Sequence, residues 1–300
     1  MNGVLAINKS AGFTSHDVVN CVRKLYRTKK VGHAGTLDPM ATGVLPILVG
    51  NAVKASQFVA DSHKVYRARM RLGLLTDTED ITGRVVKTDP NRPTLFELQK
   101  AAQGFVGTYY QVPPMYSALK VGGKKLYELA RQNQVVERTA RPVTIHSASV
   151  SPTEDPDEFW VEVSCSKGTY IRTFLVDLAQ RCSALATMTA LERTYCGGFG
   201  LEQSYTLDRL RQMEDPQQLS AFLVPTQALF SHLPQVRLPA FYYRLAQNGQ
   251  PIYASRARLS LPDVGELLQL CSPEGEFFAL AQVQDSQEGL CACVLKQFPN

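Results

Sequence analysis

Apolar and polar residues alternate along several short stretches of this chain. Alternation is strict over 65–72, which predicts a strand because side chains of a strand point to opposite faces in turn. One face of this strand is apolar, and the other carries Arg67, Arg69 and Arg71. We predict further short strands over 4–8, 159–165, 277–283 and 290–295.

In other segments the apolar residues recur at helical spacing. The first such segment begins near Ser15, where Thr14 and Ser15 are candidate caps, and it ends among basic residues at 27–30. We predict further helices over 51–59, over 94–103 and from the segment after 166 to about residue 180. Residues 109–127 are rich in Pro, Gly, Lys and Tyr, which favours an extended arm.

Composition indicates an ordinary globular protein. A chain of 300 residues with 44% hydrophobic content is long enough for one large domain and a small one, and the short strands near the C-terminal end favour a small β domain there. The net charge of +5 mildly favours a polyanionic partner. Seven cysteines without a C-x-x-C pair indicate reduced thiols in a cytoplasm and no structural zinc site. No apolar stretch approaches the ~18 residues of a membrane span.

The most informative segment is the loop over 32–43, which holds three glycines and a single carboxylate, Asp38. It lacks the Gly-Lys-Ser/Thr ending of a nucleotide-binding loop and the G-x-G-x-x-G of a dinucleotide fold. Taken alone, the loop also fits a tight connection whose glycines supply unusual backbone angles, and Asp38 before Pro39 fits the start of a turn.

Other segments add candidate partners for this acid. Tyr170 and Arg172 stand at the start of a predicted helix, and an arginine near Asp38 would keep that carboxylate charged and oriented. Arg172 equally fits a solvated cation, and Tyr66 and Tyr170 equally fit core residues with one wet end. The arm interleaves basic and aromatic side chains, a pattern typical of RNA binding and also of a solvated basic face.

Four motifs in order resemble the B family of tRNA pseudouridine synthases, over about the first 200 residues. They are GHAGTLDPMATGVLP at 32–46, KVY at 64–66, PPMYSALKVGGKKLYELAR at 113–131 and SKGTYIR at 166–172. Three positions depart from the family pattern. Ser10 replaces a proline, the segment 177–183 lacks two glycines, and Glu192 replaces an arginine.

The resemblance implies an α+β fold with a mixed, largely antiparallel central sheet and flanking helices. Residues 1–230 would form the catalytic domain, with an RNA-binding arm near 109–131, and 233–300 a PUA-like RNA-binding domain. The implied reaction converts the T-loop uridine at tRNA position 55 to pseudouridine, by breaking the N1–C1′ bond and rejoining the base through C5. Substrate and product are isomers, so the reaction implies no cofactor and no metal.

The resemblance also assigns roles to residues. Asp38 would be the catalytic aspartate, paired with Arg172, while the flipped uracil would stack on Tyr66. Tyr170 would complete the pocket, Leu191 would form an apolar wall, and His33 would occupy the space that the nucleotide leaves. Beside these roles, the charge pattern itself gives the candidate RNA-binding residues, which are Arg67 on the basic strand and Lys120, Lys124, Lys125 and Arg131 in the arm. The implied protein is a cytoplasmic monomer that binds the tRNA T-arm and needs neither a membrane nor an obligatory protein partner.

Three other functions are compatible with parts of the sequence. An RNA-binding module would bind tRNA without modifying it, although the set of Asp38, Tyr66 and Arg172 argues for chemistry. The guide-directed branch of the same superfamily tends to carry longer basic tails than this sequence shows. A glycosidase uses two flanking carboxylates, and only Asp38 is evident in the loop.

Overall fold

A computed structural model describes residues 1–132, 134–213 and 216–299, including eighteen strands. In chain order the strands are β1 (Gly3–Lys9), β2 (Val31–His33), β3 (Thr42–Val49), β4 (Lys64–Leu72), β5 (Leu74–Thr76), β6 (Val85–Thr88), β7 (Gly107–Gln111), β8 (Lys120–Val121), β9 (Lys124–Lys125), β10 (Arg141–Pro152), β11 (Glu158–Cys165), β12 (Ala186–Cys196), β13 (Phe199–Gly200), β14 (Gln235–Arg237), β15 (Ile252–Tyr253), β16 (Leu267–Cys271), β17 (Phe277–Ser286) and β18 (Gly289–Gln297).

The described helices are short. They are α1 (Ser15–Leu25), α2 (Ser56–Asp61), α3 (Leu95–Gln103), α4 (Leu126–Ala130), α5 (Ile171–Arg181), α6 (Leu207–Arg211), α7 (Pro216–Ser220), α8 (Ala240–Gln247) and α9 (Ala254–Ala257). Three 3-10 segments, Gly50–Ala55, Leu201–Gln203 and Thr226–Phe230, complete the set. No helix in the described part of the chain is both long and apolar enough to cross a membrane.

A nine-stranded sheet forms the centre of the fold. Its main path runs β1-β3-β12-β4-β11-β10-β7, with β2 beside β3 and β13 beside β12. The β3–β12 pair is parallel, and the other pairs in this sheet are antiparallel. The main core packs apolar residues of α1, α3 and α5 against the sheet. The predicted α+β class, with a mixed and largely antiparallel sheet, is therefore confirmed.

A second sheet lies towards the C-terminal end, with strand order β14-β16-β17-β18-β15. The predicted strands over 277–283 and 290–295 fall inside β17 and β18. Phe277 and Phe298 from this part pack in one buried cluster with Val44 and Leu48 of β3. The second sheet thus covers β3 on the side away from the main core.

The start of α1 shows how local sequence leads towards the candidate site. Thr14 caps the helix, because its hydroxyl accepts from the backbone N of Asp17 at 3.1 Å and the Asp17 carboxylate accepts from the Thr14 backbone N at 2.9 Å. Ser15, also a candidate cap, has a different role. Its buried hydroxyl accepts from the backbone N of Leu37 at 2.9 Å, so the first turn of α1 is tied to the residue before Asp38.

Two predicted elements differ from the structure. Residues 51–59 were expected to form one helix, but 3-10 geometry over Gly50–Ala55 precedes the short helix α2. The arm over 109–127 was expected to be extended, and it instead contains the hairpin β8–β9 and the start of α4. Gly122 and Gly123 at the hairpin tip both have positive φ values, 58° and 83°, which lets four residues reverse the chain.

Candidate active site

The loop between β2 and β3 carries Asp38, and hydrogen bonds from Lys9 hold this loop in place. Lys9 Nζ donates to the carbonyl oxygens of Ser10 at 3.0 Å, Phe13 at 2.7 Å and Pro39 at 3.1 Å. Burial lowers the pKa of Lys9 to about 8, although the charge of Asp38 opposes this change. One ammonium therefore joins the turn after β1 to the residue that follows Asp38.

Asp38 forms an ion pair with Arg172. Arg172 Nε donates to Asp38 Oδ2 at 3.0 Å, and Nη2 approaches Oδ1 at 3.5 Å. The Arg172 side chain is 6% exposed and that of Asp38 is 35% exposed. The solvated alternative for Arg172 is therefore wrong, and the buried cation presents an acid that solvent and a ligand can still reach.

Arg172 is itself held by two other segments of the chain. Its Nη1 donates to the Thr78 carbonyl and its Nη2 to the Tyr116 carbonyl, both at 2.8 Å. The forked guanidinium makes these bonds and the bond to Asp38 in fixed directions. Arg172 therefore contacts three segments at once: the loop that carries Asp38, the segment after β5 and the part of the arm around Tyr116.

Asp80 is a second carboxylate near Arg172 that sequence reasoning missed. Its Oδ2 lies 3.8 Å from Arg172 Nε, and its Oδ1 accepts from the Thr78 hydroxyl at 2.9 Å and from the Thr82 backbone N at 3.0 Å and hydroxyl at 2.5 Å. The Thr-x-Asp-x-Thr spacing resembles a local turn, and nothing in it indicates a partner 92 residues further along the sequence. Asp80 is buried, so Asp38 is the more accessible acid.

Tyr170 stands at the N-terminal end of α5. Its backbone is held by the side chain of Gln111, at the end of β7. The Tyr170 backbone N donates to Gln111 Oε1 at 2.8 Å, and Gln111 Nε2 donates to the Tyr170 carbonyl at 3.1 Å. Burial raises the pKa of the Tyr170 hydroxyl. On the same helix, burial raises the pKa of Asp177 to about 6, and the nearby Glu79 carboxylate adds to this rise.

The other three predicted pocket residues are Tyr66, Leu191 and His33. Tyr66 and Leu191 are each 7% exposed and belong to the same core cluster as Leu37, next to Asp38. Burial raises the pKa of Tyr66 to about 12. His33 ends β2, where its buried Nδ1 has no hydrogen-bond partner among the described residues, and burial lowers its pKa.

The predicted RNA-binding residues fall into two places. Lys120 and Lys124 are exposed on the β8–β9 hairpin, while Lys125 and Arg131 lie over the Tyr127 ring at 5.4 and 5.5 Å. Arg67 instead lies 4.2 Å from the centre of the Trp160 ring. It points to the sheet face opposite Tyr66, so it lies away from Asp38.

The basic face of β4 is also less cationic than its sequence indicates. Arg69 pairs with Glu158 at 3.3 Å, and Arg71 lies 3.7 Å from both Asp155 and Glu158. Elsewhere, no group of three His, Cys, Asp or Glu residues within the described ranges is arranged to hold a metal ion. Next to Asp38, the described residues place the buried guanidinium of Arg172.

Comparison with known proteins gives consistent results. A model described as TruB family pseudouridylate synthase, N-terminal domain, matches residues 23–171. The chain is 40% identical over 296 residues to tRNA pseudouridine synthase B of Bacillus velezensis, covering 97% of this chain and 96% of that protein. It is also 40% identical over 293 residues to the protein of that name from Moorella thermoacetica, covering 96% and 95%.

Solved structures show the same fold at lower identity. The structure titled as a Cbf5-Nop10-Gar1 complex covers 99% of this chain and 85% of that chain, with a TM-score of 0.73 and 22% identity. A structure of an H/ACA RNP bound to a substrate RNA containing 2′-deoxyuridine has a TM-score of 0.71 at 21% identity, covering 99% and 85%. Both sheets of the chain therefore fall within a known architecture.

Proposed function

The chain belongs to the TruB family of pseudouridine synthases, and from that premise we propose that it isomerises the uridine at position 55 in the T-loop of tRNA, with Asp38 as the essential acid. The observation that carries the proposal is the Asp38–Arg172 pair. A buried cation at 3.0 Å orients a carboxylate that remains 35% exposed.

The reaction needs one group that acts on the glycosidic bond and a pocket that holds the freed base. Asp38 breaks the N1–C1′ bond by attack on the base or on the ribose. Uracil then rotates and C5 bonds to C1′, and the bond between the Asp38 oxygen and the nucleoside breaks again, which returns the free carboxylate. The hydrogen on C5 is released to solvent, and N1 gains one, so substrate and product remain isomers. Tyr66 stacks on the flipped base, with Tyr170 and Leu191 as further walls and His33 in the vacated space.

Hydrolysis of a glycosidic bond is the less suitable chemistry for this site. It would need a second carboxylate that is free to donate or accept a proton. Asp80 is the second acid beside Arg172, but it is buried and its Oδ1 already accepts three hydrogen bonds. Asp38 is therefore more accessible to a ligand than Asp80.

The substrate is proposed to lie along the arm and the open side of Asp38. Exposed Lys120 and Lys124 on the hairpin would contact phosphates, while Lys125 and Arg131 frame the Tyr127 ring. Arg67 lies on the opposite sheet face, so we assign it no contact with the flipped base. We expect the protein to act as a cytoplasmic monomer, with residues 233–300 as an additional RNA-binding domain.

The test measures tritium release from C5-labelled uridine in tRNA. We expect Asp38→Asn to abolish release while tRNA binding persists, because the fold and the arm are unchanged. Asp61→Asn is the matched control, since this exposed aspartate forms a surface ion pair with Lys167 at 2.8 Å and should leave release intact. Release retained by Asp38→Asn would refute the assignment.

A second measurement addresses substrate and partners. A bare T-arm hairpin, without guide RNA or other protein, should be modified at the T-loop uridine, as chemical tagging of pseudouridine would show. A hairpin with cytidine at that position should remain unlabelled. Inactivity on the bare hairpin would favour a guide-directed enzyme.

A further inference from the structure

Arg193 on β12 is a buried cation without an acidic partner. It is 0% exposed, and it takes part in none of the ion pairs found over 1–132, 134–213 and 216–299. An unpaired buried charge is costly. Its place in the fold therefore calls for a reason beyond packing.

The Arg193 side chain joins the two ends of the loop that carries Asp38. Its Nε donates to the Val44 carbonyl at 2.7 Å, and its Nη2 donates to the Gly35 carbonyl at 3.1 Å. Gly35 precedes Asp38 and Val44 follows it, so the guanidinium closes the loop from inside the core.

The backbone of Arg193 makes an equally close contact with the loop. Arg193 is the partner of Gly43 in the parallel β3–β12 pair. Gly43 has a φ of +99°, and a Cβ at this position would lie 2.2 Å from the Arg193 carbonyl oxygen. Only glycine allows this approach, so both main chain and side chain of Arg193 fix the loop.

Arg193 also faces Tyr66. The two residues are direct partners in the antiparallel β4–β12 pair, which places their side chains on one face of the sheet. Arg193 Nη1 has no hydrogen-bond partner in the described structure. The guanidinium charge works against the rise that burial causes in the pKa of Tyr66, whereas the nearby thiols of Cys165 and Cys196 add to that rise.

Lys64 is another cation near this position, and its ammonium already has hydrogen-bond partners. Lys64 Nζ donates to the carbonyl oxygens of Ala60 at 2.8 Å and Ser62 at 2.9 Å, and burial lowers its pKa. Arg193 is therefore the cation whose charge acts on Tyr66.

We propose that Arg193 is a positioning residue that ties the Asp38 loop to Tyr66, and that its unpaired charge stabilises negative charge on the Tyr66 oxygen. This inference rests on the proposed function, because it assigns the contact with the Asp38 loop and the contact with Tyr66 to the isomerisation of uridine. Arg193 itself does not touch the substrate. It acts through the loop and through the tyrosine.

The first experiment replaces Tyr66 alone with 3-fluorotyrosine and follows its titration by ¹⁹F NMR without RNA. Fluorination lowers the phenol pKa, which moves the titration to a less alkaline pH. In Arg193→Gln and Arg193→Met, which remove the charge, we expect the acid dissociation constant of this phenol to fall about tenfold or more. Arg181→Met is the control, because this arginine binds the Gly104 carbonyl and should leave the titration unchanged.

The second experiment uses Arg193→Lys, which keeps the positive charge but replaces the planar guanidinium group with a single ammonium. We expect the acid dissociation constant of the Tyr66 phenol to stay within about threefold of the wild-type value. The single-turnover rate of tritium release should fall about tenfold, because the loop has lost one of its two side-chain bonds. The Kd for tRNA should stay unchanged. If the neutral variants fail to fold, this variant still tests how Arg193 positions the loop, because a wild-type rate in Arg193→Lys would overturn the proposal.

Two results would overturn the proposal: an unchanged ¹⁹F titration in a folded neutral variant, or a wild-type rate in Arg193→Lys. A purely structural role would lower the rate and the melting temperature without moving the Tyr66 titration. The NMR measurement needs no substrate, so its outcome is independent of whether the wild-type protein isomerises uridine. An inactive wild type would refute the proposed function instead.

Discussion

Replacing Arg172 with methionine removes the positive charge that lies beside both Asp38 and Asp80. Arg172 Nε lies 3.0 Å from Asp38 and 3.8 Å from Asp80, and the guanidinium also satisfies two carbonyls. Removing one partner of a buried ion pair costs ~3–5 kcal/mol. Because Asp38 is 35% exposed and water can replace its lost partner, we expect a loss of about 3 kcal/mol in the free energy of unfolding.

The assay is urea denaturation of Arg172→Met beside a matched control. Arg84→Met removes an arginine whose side chain is 85% exposed and which lies 3.3 Å from Asp77, so it should cost below about 1 kcal/mol. Adding Asp80→Asn to Arg172→Met should restore about 1 kcal/mol or more, because the unpaired buried carboxylate is removed with it. The reasoning fails if Arg172→Met costs no more than the control, or if Asp80→Asn restores nothing.

Two further predictions concern the loop and pH. Gly43→Ala should lower the free energy of unfolding by about 3 kcal/mol or more, because its Cβ would meet the Arg193 carbonyl at 2.2 Å. Gly249→Ala, at a φ of +74° with open space around it, should cost about 1 kcal/mol, and equal losses in urea denaturation would contradict the close approach. Burial raises the pKa of Asp177 to about 6, above its value in the unfolded chain, so its contribution to stability is complete near pH 4 and is lost as the pH rises through 6. The stability of the wild type relative to Asp177→Asn should therefore fall by about 1–2 kcal/mol between pH 4 and 7, and parallel pH profiles would exclude this carboxyl.

Local sequence was sufficient where a short pattern fixes the structure. Of the two candidate caps, Thr14 does cap α1, and the alternation over 65–72 gives a strand with a buried face and a basic face. The α+β class followed from the family resemblance and is confirmed by the fold. These features depend on neighbours within a few residues, or on motifs long enough to be specific.

Local sequence was insufficient where a contact joins distant segments. A buried arginine without an acidic partner, such as Arg193, cannot be distinguished in sequence from a solvated one, because its acceptors are carbonyls 149 and 158 residues away. The central strand β12 was missed for a related reason, since Arg193 and Glu192 interrupt its apolar pattern. Arg67 was assigned to RNA from its charge, whereas its ring partner Trp160 lies on another strand.

The sequence separation of the ion pair at the candidate site has a consequence for biosynthesis. Asp38 and Arg172 are 134 residues apart, and translation proceeds at ~5–20 residues per second. The acid therefore leaves the ribosome roughly 7–27 s before the arginine that orients it. During that interval Lys9 has been synthesised, whereas Arg172 and Arg193 have not. A nascent chain consequently exposes an unoriented carboxylate, and the site is completed only after β12 has been synthesised and joined to β3.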